Sequence, residues 1–113
     1  MDLIEEPGFS SLTAEEKASI CNGAGAADDW KSAFIPNTLY GLDCTAVFNR
    51  HDYAYYVGKT EEDKARADVS MLINLVRLIN DKGGFLSLAR KYRAVTYYEA
   101  VHAFGEDAFF SES

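Results

Sequence analysis

The sequence predicts a small all-α domain, and three observations lead to that prediction. The chain has 113 residues, 48% of them hydrophobic, which is enough for one buried core and too little for two domains. Three segments after residue 42 repeat apolar residues at helical spacing between capping or helix-ending residues. No segment alternates apolar and polar residues as a half-buried strand does. We therefore expect residues 1–113 to form a single helical domain.

The charge balance argues against one large class of function. Lys and Arg number 11 and Asp and Glu number 18, which gives a net charge of −7. A general nucleic-acid binder neutralises phosphates with basic side chains, so nucleic acid is not the expected partner. The apolar runs are too short for a transmembrane helix, and residues 1–11 lack the pattern of a signal peptide. We expect a soluble chain without an export signal, whose compartment and oligomeric state stay open.

A capping box near the start of the chain predicts a short first helix. The Thr13 hydroxyl is placed to accept from the backbone N–H of Glu16, whose side chain reaches back to residue 13. We expect this helix to run from about Ala14 to Cys21. Residues 1–11 before it are expected to be flexible or extended.

A long loop is predicted after the first helix. Asn22-Gly23 supplies the left-handed stop, and residues 22–42 contain many turn-forming residues without apolar periodicity. Trp30 and Phe34 lie within this segment, which favours an ordered loop packed on the core. Loops of this length in a compact domain are usually functional or disordered.

The second helix is expected to run from Asp43, its N-cap, to about Val57. Its apolar side chains recur at helical spacing, and the predicted inward face consists of Cys44, Val47, Phe48, His51 and Tyr55. This pattern turns the imidazole of His51 toward the core. Gly58 then breaks the helix.

The third helix begins with a second capping box, formed by Thr60 and Asp63. It is expected to run from Glu61 to about Asn80. The predicted inward face consists of Ala65, Asp68, Val69, Leu72, Leu75, Val76 and Ile79. The carboxylate of Asp68 therefore lies on an otherwise apolar face.

The last helix is expected to span about Phe85 to Phe104 and to end at Gly105. The predicted inward face consists of Phe85, Leu88, Ala89, Tyr92, Val95, Tyr98, Val101 and Phe104. The basic residues Arg90, Lys91 and Arg93 suit a solvated face, or an anionic lipid surface if aromatic residues are exposed beside them. His102 is expected to be structural.

The turn at Gly58 brings the two inward polar residues to the same level. At 1.5 Å per residue, His51 lies roughly 10 Å before the turn and Asp68 roughly 10 to 12 Å after Thr60. A buried carboxylate needs a partner, so we predict a hydrogen bond from His51 to Asp68, as in a general-base dyad. Asp52 follows about 100° further round the helix, and this second acid suggests a metal site.

These residues resemble the phospholipase A2 superfamily, in particular its short bacterial and viral members, including phage proteins. The residues that carry the resemblance are His51-Asp52, Tyr55 and Ala67-Asp68. In that family, the paired histidine and aspartate stand on one long helix, and a second aspartate stands on its antiparallel partner. The resemblance implies that His51 is the general base that activates water. It also implies that Asp68 is the partner of the histidine and that Tyr55 supports Asp68.

The same resemblance implies a calcium ion and a phospholipid or other ester as substrate. Asp52 resembles the calcium-ligating carboxylate, and the calcium loop of the family would correspond to residues 22–25, with backbone carbonyls around Gly23 and Gly25. Calcium binds 6–8 oxygen ligands and would polarise the ester carbonyl. The resemblance therefore implies a calcium-dependent hydrolase.

Two functions from different classes remain open at this point. One is the lipid esterase that the resemblance implies. The other is a binding or structural module that kept the scaffold and lost the chemistry. Cys21 and Cys44 also leave two alternatives, which are one disulfide or two buried free thiols.

Overall fold

The computed structural model describes residues 2–21 and 38–104, and these ranges contain four α-helices. The helices are α1 (Ala14–Cys21), α2 (Thr45–Val57), α3 (Glu61–Lys82) and α4 (Ser87–Phe104). A short 3₁₀ helix, Phe9–Ser11, precedes α1. The predicted all-α class is confirmed. None of the helices in the described ranges is both long and apolar enough to cross a membrane.

Both predicted capping boxes are present. The backbone N–H of Glu16 donates to Thr13 Oγ1 at 3.1 Å, and the N–H of Thr13 donates to Glu16 Oε1 at 2.9 Å. At the start of α3, the N–H of Asp63 donates to Thr60 Oγ1 at 3.1 Å and the N–H of Thr60 donates to Asp63 Oδ2 at 3.2 Å. These bonds satisfy donors that a helix start leaves unpaired, which explains why both helices begin where the sequence predicts.

The predicted loop over residues 22–42 is wrong at its end, where a small hairpin forms. Strands β1 (Thr38–Leu39) and β2 (Leu42–Asp43) pair antiparallel, and two residues per strand are too few for an alternating pattern. Tyr40 and Gly41 between them have φ values of 48° and 84°, as a tight two-residue hairpin turn requires. Residues 22–37 of the predicted loop lie outside the described residues.

The start of α2 also differs from the prediction, because Asp43 is not the N-cap. The helix begins at Thr45, with Cys44 at the cap position. The Asp43 carboxylate instead accepts from the Thr45 backbone N–H at 2.9 Å and from its hydroxyl at 2.6 Å. Asp43, which lies in β2 one residue before the N-cap, therefore accepts the hydrogen bond of the first backbone N–H of the helix.

The core lies between α2, α3 and α4, with α3 packed against both neighbours. The buried hydrophobic cluster consists of Leu39, Cys44, Val47, Phe48, Ala54, Tyr55, Ala67, Met71, Leu75, Ile79, Ala94, Tyr97 and Val101. Every residue of the predicted inward face of α2 is buried. Cys44 is a free thiol that donates to the Leu42 carbonyl at 3.5 Å, and burial raises its pKa to about 11. The free-thiol alternative therefore holds for Cys44.

The predicted inward face of α3 is wrong at two positions and incomplete at four. Ala65 and Val69 are exposed. The buried residues that the prediction omits are Lys64, Ala67, Met71 and Asn74. Since α3 contacts α2 on one side and α4 on the other, its buried surface is wider than one apolar stripe.

The predicted inward face of α4 is wrong for half of its residues. Phe85, Leu88, Tyr92 and Val95 are exposed, with Phe85 at 95% and Leu88 at 80%. The buried stripe consists of Arg90, Ala94, Tyr97 and Val101. Within the helix, the exposed Leu88, Tyr92 and Val95 each lie two residues before a buried one, which places the two stripes roughly 160° apart. Both have helical spacing, so periodicity alone does not decide between them. The helix also begins at Ser87, two residues after the predicted start.

Arg90 corrects the expectation of a solvated basic face. Its side chain is buried, with Nε donating to the Leu39 carbonyl at 2.9 Å and Nη2 donating to the Tyr40 carbonyl at 2.8 Å. Arg93 Nε donates to the Tyr40 hydroxyl at 3.3 Å. Two arginines of α4 therefore hold the β1–β2 hairpin in place.

We expect Leu75→Ala and Leu88→Ala to differ strongly in their effect on stability. Leu75 is 0% exposed in the core, so its truncation should lower the free energy of unfolding by about 2–5 kcal/mol. The same truncation at exposed Leu88 should change it by about 0.5 kcal/mol or less. Urea unfolding followed by circular dichroism measures both values. Equal losses for the two variants would contradict the observed orientation of α4.

Candidate functional site

Asp68 on α3 is the centre of a buried polar cluster. Its side chain is 0% exposed, and three donors surround its carboxylate. His51 Nε2 lies 2.9 Å from Oδ1, and the Tyr55 hydroxyl donates to the same oxygen at 2.6 Å. Lys64 Nζ donates to Oδ2 at 2.8 Å. Both oxygens of the buried carboxylate are therefore hydrogen-bonded.

Helical spacing positions these four side chains. His51 and Tyr55 are four residues apart on α2, and their ring centroids are 4.2 Å apart. Lys64 and Asp68 are four residues apart on α3 and form an i,i+4 ion pair. The turn between α2 and α3 brings the two pairs to the same level, so the predicted contact between His51 and Asp68 is confirmed.

The pKa of Asp68 lies below its ordinary value. Burial acts in the opposite direction, because desolvation disfavours the charged form, but the hydrogen bonds and charges of its partners outweigh it. The partners that lower the pKa are His51, Lys64 and Tyr55. Asp68 is therefore a carboxylate at neutral pH despite its complete burial.

The ionised state of Asp68 determines the tautomer of neutral His51. A carboxylate only accepts hydrogen bonds, so Nε2 must carry the proton that His51 shares with Asp68. The lone pair of the neutral imidazole is then on Nδ1. No hydrogen bond to Nδ1 is found among the described residues. This is the proton arrangement that a general base requires.

Lys64 and His102 were not predicted to belong to this cluster. Lys64 also donates to the His102 carbonyl at 3.3 Å, which connects the cluster to α4. His102 Nδ1 lies 3.8 Å from Asp68 Oδ2, and its side chain is 60% exposed. The i,i+4 spacing of Lys64 and Asp68 was a usable signal, because lysine and aspartate at that spacing pair on helices. No comparable signal in the sequence links His102 to Asp68.

A cavity adjoins His51 between α2 and α3. The empty space there is about 400 Å³, a figure that includes open solvent at its mouth. The residues that line it are Ile4, Glu5, Glu6, Arg50, His51, Ala54, Arg66, Ala67, Ser70, Met71 and Asn74. Its lining combines apolar side chains from both helices with charged side chains at the margin.

The predicted metal ligands are only partly within the described ranges. Asp52 is half-buried on α2, directly after His51. Gly23 and Gly25 lie outside the described residues. Within the described part of the chain, no group of three His, Cys, Asp or Glu side chains is arranged to hold a metal ion. The predicted calcium site would draw its remaining ligands from backbone carbonyls.

Comparisons of the chain with protein-family models, curated proteins and solved structures find no match.

The lowered pKa of Asp68 predicts a loss of stability in acid. A carboxyl group whose pKa is lower in the folded state stabilises the fold above its unfolded pKa of about 3.9 and loses this contribution as the pH falls through the folded value. Asp68→Asn should lack this component of acid unfolding. It should also be destabilised by about 3–5 kcal/mol at neutral pH, because it leaves Lys64 buried without its counter-charge.

Urea unfolding measured from neutral to acid pH tests this prediction. Asp81→Asn is the matched control, because it removes an exposed carboxylate of the same helix and should follow the native curve. Parallel pH curves for the native chain and Asp68→Asn would show that Asp68 contributes no pH-dependent stability.

Proposed function

We propose that the chain is a calcium-dependent, phospholipase A2-like lipid esterase in which His51 activates water. The observation that carries this proposal is the buried hydrogen bond from His51 Nε2 to the ionised Asp68. It leaves the lone pair of the neutral imidazole on Nδ1, while His51 lines a cavity that is open to solvent. A histidine in this arrangement is suited to accept a proton from a water molecule.

The proposed reaction is the hydrolysis of a carboxylic ester without a covalent intermediate. Nδ1 of His51 takes a proton from water as the water oxygen attacks the ester carbonyl carbon. Asp68 stabilises the imidazolium that forms, because its charge lies 2.9 Å from Nε2. The bond from the carbonyl carbon to the leaving oxygen then breaks, and the imidazolium returns the proton to that oxygen. Tyr55 holds Asp68 in place through its 2.6 Å hydrogen bond.

Calcium suits the side chain of Asp52, which directly follows His51 in the sequence. Asp52 offers a half-buried carboxylate, which is the hard oxygen ligand that calcium prefers. In the proposal, Asp52 and backbone carbonyls at Gly23 and Gly25 would hold the ion. When bound, calcium supplies the electrophile that polarises the ester carbonyl and stabilises the oxyanion.

One observation favours a second candidate, a binding or structural module with this scaffold and no hydrolytic activity. Lys64 places its amino group 2.8 Å from Asp68 Oδ2, where the two form an ion pair. This charge already compensates the carboxylate, so Asp68 has less electrostatic stabilisation to offer an imidazolium at His51. A buried ionic cluster of this kind also has a sufficient structural explanation, since each charge in it has a partner.

We expect His51→Asn to separate activity from folding. It should retain the helical circular dichroism spectrum and calcium binding, and it should lower ester hydrolysis by about 10²–10⁴-fold, the usual contribution of a general base. Asp52→Asn should lose both calcium binding and hydrolysis. His102→Asn is the matched control and should retain most activity, because its side chain is 60% exposed and more than hydrogen-bond distance from Asp68.

The assays are hydrolysis of phospholipid vesicles and of a soluble ester, each with calcium and with chelator, and calcium titration by calorimetry. If the native chain hydrolyses neither substrate above the His51→Asn background, the esterase proposal is wrong and the second candidate is favoured.

A further inference from the structure

A segment that is neither helix nor strand, Asp2–Pro7, lies along the groove between α2 and α3. Asn74 of α3 holds its backbone at Ile4, with Nδ2 donating to the carbonyl at 2.9 Å and Oδ1 accepting from the N–H at 2.7 Å. Asn74 is only 1% exposed. A buried amide that bonds both backbone groups of one residue recognises extended main chain, much as a neighbouring β-strand does. The sequence predicts flexible or extended chain for residues 1–11 and carries no signal for this contact.

Charged side chains on both helices match the segment. Arg50 of α2 pairs with Glu5 at 3.1 Å, and Arg66 of α3 pairs with Glu6 at 3.3 Å. Arg77 Nη1 donates to the Asp2 carbonyl at 3.1 Å. The groove therefore offers positive charge to two successive carboxylates and hydrogen bonds to the backbone beside them.

The far end of the segment is fixed at Phe9. The Phe9 ring is buried, and the cationic groups of Lys17 and Arg50 lie 4.9 and 4.8 Å from its centroid. Gly8 connects this anchor to the segment with a φ of 97°, and a Cβ there would lie 2.7 Å from the Tyr53 hydroxyl. The chain thus turns at a glycine, between a buried anchor and a segment held at the surface.

The segment also forms a wall of the cavity beside His51. Ile4, Glu5 and Glu6 line this cavity together with His51. Both ion pairs of the segment are partly exposed, and pairs of this kind contribute little to stability. The segment is therefore held more weakly than the helices beneath it.

We propose that the groove between α2 and α3 is a binding site for an extended peptide in which an aliphatic residue precedes two carboxylates. Asp2–Pro7 fills this site within the chain, and its displacement exposes His51. The binding site does not depend on the esterase proposal. If exposure of His51 also raises the rate of ester hydrolysis, that effect rests on the proposed function.

The first experiment displaces the segment in the full chain. Glu5→Lys/Glu6→Lys places positive charge opposite Arg50 and Arg66. Hydrogen exchange at the Ile4 amide, which is bonded to Asn74, reports whether the segment leaves. Glu15→Lys/Asp81→Lys makes the same change of net charge at exposed residues outside the segment and is the matched control. Asn74→Ala, which removes the amide contact, is a second route to displacement.

The second measurement follows the access of reagents to His51. Diethyl pyrocarbonate modifies neutral imidazole, and mass spectrometry separates His51 from the exposed His102, which serves as an internal reference. We expect modification of His51 relative to His102 to rise about tenfold when Ile4 exchange accelerates, and to stay unchanged in the control variant. Circular dichroism verifies that the helices remain.

A synthetic peptide with the sequence of residues 2–7 tests recognition. Added at millimolar concentration to the Glu5→Lys/Glu6→Lys chain, whose groove keeps Asn74, Arg50 and Arg66, it should slow His51 modification more than a peptide with glutamine in place of both glutamates. Equal effects of the two peptides would contradict recognition of the carboxylates.

Unchanged Ile4 exchange in both variants would show that these contacts do not hold the segment. Faster exchange with unchanged His51 modification would show that the segment does not cover His51.

Hydrolysis measured on the same variants separates this inference from the proposed function. Greater His51 reactivity with no hydrolysis in any variant would support the binding site and contradict the esterase. Hydrolysis that depends on His51 and is equal in native and displaced chains, with equal His51 reactivity, would support the esterase and overturn control by the segment.

Discussion

The buried charge of Asp68 is the constraint on which the rest of the arrangement depends. An ionised carboxylate removed from water is stable only when charges and hydrogen bonds replace its hydration. Here, His51 and Tyr55 from α2 bond one oxygen, and Lys64 from α3 bonds the other. Because these partners come from two helices, they fix the register of α2 against α3. Lys64 extends the constraint to α4 through the His102 carbonyl.

The pairing of Asp68 with Lys64 limits how strongly Asp68 can stabilise a positive charge on His51. Oδ1 of Asp68 receives both His51 and Tyr55, whereas Oδ2 receives the charged Lys64. Asp68 orients the imidazole fully, since orientation needs only the hydrogen bond to Nε2. It supports an imidazolium less than an unpaired carboxylate would, since Lys64 already balances its charge. Orientation and charge stabilisation are therefore separate properties of this cluster.

The sequence predicts the features that local chemistry determines. The capping boxes at Thr13 and Thr60 need only residues three positions apart, and the contact between His51 and Asp68 follows from counting residues on either side of a turn. Features that depend on distant backbone are not predicted. Arg90 is buried because carbonyls of the β1–β2 hairpin, about fifty residues earlier, accept its hydrogen bonds. The buried and the exposed stripe of α4 have the same helical spacing, so the sequence does not show which of them faces the core.

The three buried polar side chains of α3 obtain their partners in different ways. Lys64 and Asp68 are satisfied by each other and by neighbouring helices, whose positions the core fixes. The Asn74 side chain instead bonds the backbone N–H and carbonyl of Ile4, which lies in the segment Asp2–Pro7 outside the helices. Water or another peptide can supply hydrogen bonds like those of the Ile4 backbone, whereas a neutral molecule does not replace the charge of Lys64 opposite Asp68. His51 is therefore held by contacts between packed helices. The segment that forms a wall of its cavity is held by hydrogen bonds that another molecule can replace.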